Sequence, residues 1–263
     1  MAKFSCNVIS YILKRTVDIT VIVPSPTIPE SMEASGITPC HTPKEKYPVL
    51  YLLHGFGNNH ATWTGYTNVE LYAEERNIAV VMISAENKSY VNNESGDHFY
   101  DFIEKELPEF ICGMFPISDD PRNTYIAGLS MGGFGTLVHA LNRPDQFAAL
   151  GTFSAAISLN PATLSGEKEK PMNPMFDPLS LAKKIHKNGG KFPKSYIACG
   201  EADFLYEANV VFKDQLIEMD ADVTWVTLPV YGHEWRFWNL QIEAFLDWIP
   251  RTDGYASMGK RQI

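Results

Sequence analysis

The chain has 263 residues, 45% of them hydrophobic, and 31 acidic against 22 basic side chains give a formal charge of −9. That length and apolar content suit one domain with a sizeable core, while the acidity, with no basic cluster, argues against a nucleic-acid partner. There is no run of eighteen apolar residues for a membrane span and no basic-then-apolar leader at Met1, so a cytoplasmic protein with no membrane partner is expected.

Tyr11 to Val23 is rich in β-branched residues and alternates in places, which predicts a strand at an antiparallel edge. Residues 25–46 carry many Pro, Ser and Thr and read as a long loop. Tyr47 to Leu53 is a short apolar run, a buried strand that enters His54-Gly55-Phe56-Gly57. Val69 to Arg76 predicts a helix and Ile78 to Ser84 another buried strand. Phe99 to Cys112 has helical spacing, with Pro108 as a kink or a break. A strand over Arg122 to Ala127 leads into Gly128-Leu129-Ser130-Met131-Gly132, and a helix starts near Gly133. A strand at Phe147 to Phe153 follows, then a polar stretch over residues 156–178 that reads as a small insertion above the sheet. The remaining elements are helix Leu179–Lys187, strand Ser195–Cys199, helix Ala208–Met219, strand Val223–Leu228 and closing helix Trp235–Trp248. Strands alternating with helices predict a single α/β domain on a doubly wound, mostly parallel sheet with helices on both faces. Ligands in such sheets bind at the carboxyl ends of the strands.

The stretch around Ser130 is the most informative. A serine flanked two residues either side by glycine, between a strand and a helix, is the pattern of a nucleophile elbow, which implies an α/β hydrolase. The turn is tight enough that side chains at the flanking positions collide. In that fold the acid and then the histidine follow the nucleophile. His139 lies inside the elbow helix and His186 at a Lys-rich helix end, whereas His233 follows a strand at the functional edge, which makes it the candidate base. Asp203 and Glu201 both follow the strand ending at Cys199; Asp203 is favoured for its longer loop reach. Two backbone N–H groups are needed for an oxyanion. Met131 supplies one, and Phe56, with Gly57 as the fallback, supplies the other. Trp63, Tyr90, Phe99 and Trp235 are candidates to line a substrate pocket, and Glu234 is expected to face solvent. Cys6, Cys40, Cys112 and Cys199 are scattered without metal-ligand spacing, so reduced thiols, no metal and no organic cofactor are expected.

Leu52-Leu53-His54-Gly55-Phe56-Gly57-Asn58-Asn59, Trp63, Ala127 to Gly133, Cys199 to Tyr206 and Gly232-His233-Glu234-Trp235 together resemble the esterase D-like group. The likeness spans Tyr47 to Trp248 and is nearest to the tributyrin-esterase type, which overlaps carbohydrate esterase family one of acetyl and feruloyl esterases. The resemblance implies an α/β-hydrolase fold, a Ser130–Asp203–His233 triad and an oxyanion hole of the Phe56 and Met131 N–H groups. It also implies a small-molecule or oligosaccharide ester as substrate, with acetyl or hydroxycinnamoyl groups on plant carbohydrate as the expected acyl esters. The same group includes S-formylglutathione thioesterases, and transfer of the acyl group to a sugar or binding without catalysis are further readings. Self-association into a homo-oligomer is compatible with the sequence. The Pro-rich loop over 25–46 is longer than the group leads one to expect, which leaves its effect on the entrance open.

Overall fold

Two strands form where the sequence pattern predicts one. In the computed structural model, which describes residues 1–32, 38–94, 96–157 and 172–263, β1 (Ala2–Ser10) and β2 (Arg15–Val23) make an antiparallel hairpin. Tyr11–Lys14, read as the start of a strand, is the turn. The outer strand β1 exposes Lys3, Phe4, Ser5, Asn7 and Ile9, so it lacks the apolar run that marks a covered strand.

The hairpin borders one eight-stranded sheet of order β1-β2-β4-β3-β5-β6-β7-β8. Its other members are β3 (Val49–Leu53), β4 (Ala79–Ile83), β5 (Thr124–Leu129), β6 (Ala149–Phe153), β7 (Lys194–Gly200) and β8 (Val223–Leu228). All pairs from β4 through β3 to β8 are parallel, and β2 joins β4 antiparallel. Both faces are covered, so the central strands are apolar on both sides. Val49, Tyr51 and Leu53 of β3 enter one core, and Leu50 and Leu52 enter the other, the two-residue period of a strand.

Short helices α1 (Ile28–Ser31), α2 (Thr62–Tyr66) and α3 (Val69–Glu75) come first. Then α4 (Phe99–Asp101) continues through a π-helical turn (Phe102–Glu106) into α5 (Leu107–Met114). Pro108 therefore does not end the helix. It has no N–H to donate to the preceding turn, and the wider π turn just before it absorbs the mismatch. After α6 (Met131–Asn142) come α7 (Pro178–Lys187), α8 (Tyr206–Glu218) and α9 (Trp235–Trp248). Helices α5 to α8 pack on one face, with Ile111, Leu137, Leu181 and Phe212 as anchors. On the other, α3 and α9 bury Val69, Tyr72, Phe237 and Phe245. The insertion expected at 156–178 falls largely on residues 158–171, outside the described residues.

The described ends of the Pro-rich segment, residues 25–32 and 38–46, join the sheet away from the carboxyl edge of the parallel strands. The first of these ends leaves β2, where Ile22 pairs with Val80 near the start of β4, and the second leads to Val49, the start of β3. Arg261 holds the first end there, donating to Glu30 Oε2 (2.6 Å) and the Ser25 carbonyl (2.8 Å).

Candidate active site

The elbow is built by backbone crowding. Ser130 sits at φ 51°, ψ −116° between β5 and α6, a conformation that costs a non-glycine residue of the order of 1–3 kcal/mol and has to be imposed by its surroundings. Its N–H donates to the Phe153 carbonyl (3.0 Å), and its own carbonyl accepts from Ala156 N–H (3.0 Å). A Cβ on Gly128 would lie 2.4 Å from the Gly132 carbonyl oxygen, and one on Gly132 would lie 2.4 Å from that of Leu53. Glycine is required at both positions, as the sequence pattern implied.

Three strand ends bring the polar side chains together. Asp203 follows β7 in a short turn and is buried. Its Oδ2 lies 2.9 Å from His233 Nδ1, and its Oδ1 accepts from Leu205 N–H at 2.9 Å. His233 follows β8, and its Nε2 lies 3.0 Å from Ser130 Oγ. A carboxylate at Nδ1 holds the proton on that nitrogen, which leaves Nε2 free to accept from the serine hydroxyl. Burial alone would push the Asp203 carboxyl up. The hydrogen bonds from His233, Leu205 N–H and the Ser154 hydroxyl outweigh it and hold the group below the ordinary carboxylate value. Glu201, the competitor for this place, is exposed.

The loop after β3 is pinned by neighbours. The buried His54 ring accepts from Ala85 N–H at Nε2 (3.1 Å), so Nδ1 is the protonated nitrogen and donates to the Gly55 carbonyl (2.7 Å). Burial lowers its pKa to about 4, which keeps the imidazole neutral. Gly57 N–H donates to Asn87 Oδ1 at 2.7 Å and is therefore committed elsewhere. Among the described residues neither Phe56 N–H nor Met131 N–H has an acceptor, and Met131 opens α6, whose N-terminus favours negative charge.

The aromatic expectations need correction. Tyr90 is fully buried; its hydroxyl donates to the His54 carbonyl (2.7 Å) and its ring packs over Gly135, so it braces the β3 loop. Phe99 is core, packed against Phe102. Trp63 is also fully buried, its indole N–H donating to the Leu53 carbonyl (3.1 Å). Trp235 alone of the four is partly exposed, and it stacks on Tyr66 beside the site. Glu234 does not simply face solvent: it is half-buried and accepts from Gly232 N–H (3.2 Å), which braces the histidine loop. Several contributors escape a sequence reading. The Phe204 ring lies 4.8 Å from that of His233, and Trp238 stands edge-on to the same imidazole at 4.9 Å. Asn209, fully buried on α8, donates to the carbonyls of Ala155 and Leu205 and ties the elbow's neighbour to the acid loop.

The Esterase family model ("Putative esterase") matches residues 25–248. The chain belongs to the Esterase family. An acetyl esterase from Caldicellulosiruptor saccharolyticus is 27% identical over 96% of this chain and 99% of its own length. Among solved structures, the substrate-bound fluorophosphonate-binding serine hydrolase F (FphF) of Staphylococcus aureus superposes with a TM-score of 0.80. It is 28% identical over 94% of this chain and 97% of that one. S-formylglutathione hydrolase (FrmB) of Staphylococcus aureus has a TM-score of 0.78, with 29% identity over 94% of this chain and 95% of that one. This Esterase-family chain is thus a carboxylic ester hydrolase on the α/β-hydrolase fold. Among the described residues, no helix is long and apolar enough to cross a membrane.

Proposed function

We propose that Ser130 is the nucleophile, His233 the general base and Asp203 its orienting carboxylate in a serine esterase acting through an acyl-enzyme. The observation that carries this reading is the unbroken Ser130–His233–Asp203 chain at 3.0 and 2.9 Å. His233 Nε2 takes the Ser130 proton as Oγ attacks the ester carbonyl, and the tetrahedral oxyanion is held by Phe56 and Met131 N–H. Protonated His233 then gives its proton to the leaving alcohol. A water activated by the same nitrogen attacks the acyl-enzyme, and the acid leaves as Ser130 recovers its proton.

The substrates are short-chain acyl or hydroxycinnamoyl esters, with acetyl groups on plant-derived carbohydrate as the leading case. The acetyl esterase relative supports that choice, and the earlier resemblance to acetyl and feruloyl esterases points the same way. The likeness to S-formylglutathione hydrolase favours one alternative, hydrolysis of a thioester. Both are tested in one panel of p-nitrophenyl acetate, methyl ferulate, acetylated xylo-oligosaccharide and S-formylglutathione; dominant turnover of the last would replace the carbohydrate-ester reading. Ser130→Ala is expected to remove p-nitrophenyl acetate hydrolysis and fluorophosphonate labelling while the circular dichroism spectrum stays unchanged. Activity retained in that variant would place the nucleophile elsewhere.

A further inference from the structure

A groove of about 670 Å³ runs between the end of α2 and the first turn of α9. Trp235 and Tyr66 both line it, and their rings stack, centroids 5.0 Å apart and planes inclined by 14°. Trp235 in turn stands edge-on to Trp63 and to Trp238, and Trp238 stands edge-on to His233. The aromatic platform is therefore anchored to the same ring that supports the base. Contacts of 4.9, 5.1 and 5.0 Å link His233 through Trp238 and Trp235 to Tyr66, so the platform lies within about 15 Å of the imidazole.

The groove's chemistry is that of a surface for a flat, hydroxyl-rich ligand. Tyr66 has one face on Trp235 and is 64% exposed, which leaves the other face open. Around it stand Asn68, Arg236 and Asn239. Asn239 is spent in holding the wall, accepting from Asn68 N–H (2.9 Å) and donating to Tyr72 Oη (3.2 Å). The Asn68 amide and the Arg236 guanidinium, both exposed, have no partner among the described residues. An exposed ring face bordered by an amide and a guanidinium fits a pyranose. Its weakly positive C–H face packs on the negative π face while its hydroxyls meet the donors and acceptors at the rim. A fatty acyl chain would instead need an enclosed apolar slot, and a polyanion would need a positive field that a chain of charge −9 does not provide.

We infer that this groove is a sugar subsite for the alcohol side of the ester, engaging rings a short oligosaccharide's length from the scissile acyl group. The inference rests on the carbohydrate-ester reading above and gives it a place on the surface. Xylotriose, which carries no ester, is the probe, titrated against the protein while tryptophan fluorescence is followed. Saturable quenching is expected in the wild type. Tyr66→Ala should weaken binding about fivefold and lower the ratio of kcat/KM for acetylated xylotriose over p-nitrophenyl acetate by a similar factor, while Tyr66→Phe, which keeps the ring, should restore both to within about twofold. A wild type that hydrolyses p-nitrophenyl acetate but gives no saturable response to xylotriose would overturn the subsite and leave the esterase reading standing, and so would a response indifferent to Tyr66→Ala. Binding through Tyr66 by a protein inert toward every ester would do the reverse.

Discussion

Asp203 shows how much of this site one residue decides. Its carboxylate is the acceptor at His233 Nδ1 among the described residues, and it stays ionised because three hydrogen bonds outweigh burial. Asp203→Asn puts an amide in the same place. The amide can donate to Nδ1 and so favour the proton on Nε2, the nitrogen proposed to accept from Ser130. The variant is expected to lose about 10³–10⁴ in kcat with the fold intact. Glu201→Gln, two residues before Asp203 in the same turn after β7 and exposed, is expected to leave kcat within about twofold, since an exposed side chain with no contact to the imidazole contributes little to orienting it. Comparable losses in both variants would mean that the acid is shared. Ser130, Asp203 and His233 were legible because chain order and strand ends select them. Tyr90 and Phe99 were misjudged because an aromatic side chain reads the same in a core as in a pocket until burial is known. Phe204 and Asn209 act through contacts made only when the acid loop folds, and nothing in their local pattern marks them.

At the scale of elements, the parallel strands and their helices follow the apolar runs almost residue for residue: Val223–Leu228 and Trp235–Trp248 form with the predicted bounds. The departures have local causes. β1 escaped notice because an outer strand needs only one apolar face, and the π turn before Pro108 because a bulge leaves the helical period nearly intact. The junction of β5 with α6 is the least tolerant element. Gly132 lets the first turn of α6 approach the carbonyls of Leu53 and His54, where β3 ends and the loop that carries the Phe56 N–H begins. Gly132→Ala would push helix and loop apart. A loss of about 1–3 kcal/mol is expected in urea unfolding, as for other overpacked sites. A fall in kcat/KM for p-nitrophenyl acetate larger than any rise in KM should accompany it, because the two N–H groups proposed as oxyanion donors separate. Unchanged stability and unchanged kcat would show that the helix start is softer than its packing implies.

For the whole molecule, the response to acid is set by groups that fold in opposite charge states. Glu30, on the segment clasped by Arg261, is pushed up by burial but held below its ordinary value by that guanidinium and by Thr27. Asp203 behaves alike. Carboxylates of this kind contribute stability that is present above their unfolded value and is lost only as pH falls through the lowered folded value, at the acid extreme. His54 acts earlier. Burial lowers its pKa from 6.5 to about 4, so between those values the unfolded chain binds a proton that the folded chain refuses. Stability therefore falls as pH drops through this window, by on the order of 3 kcal/mol across it. The wild-type Tm is expected to decline steadily from pH 6.5 to pH 4, before the carboxylates titrate. His54→Gln cannot take up that proton. It starts from a lower Tm, because the exchange of hydrogen bonds with Ala85 and Gly55 is imperfect, but its Tm should change much less over the same interval. The slopes decide the matter rather than the absolute values. Parallel declines in wild type and variant would remove His54 as the source of the acid sensitivity, and would shift attention to the carboxylate clasps around Asp203 and Glu30.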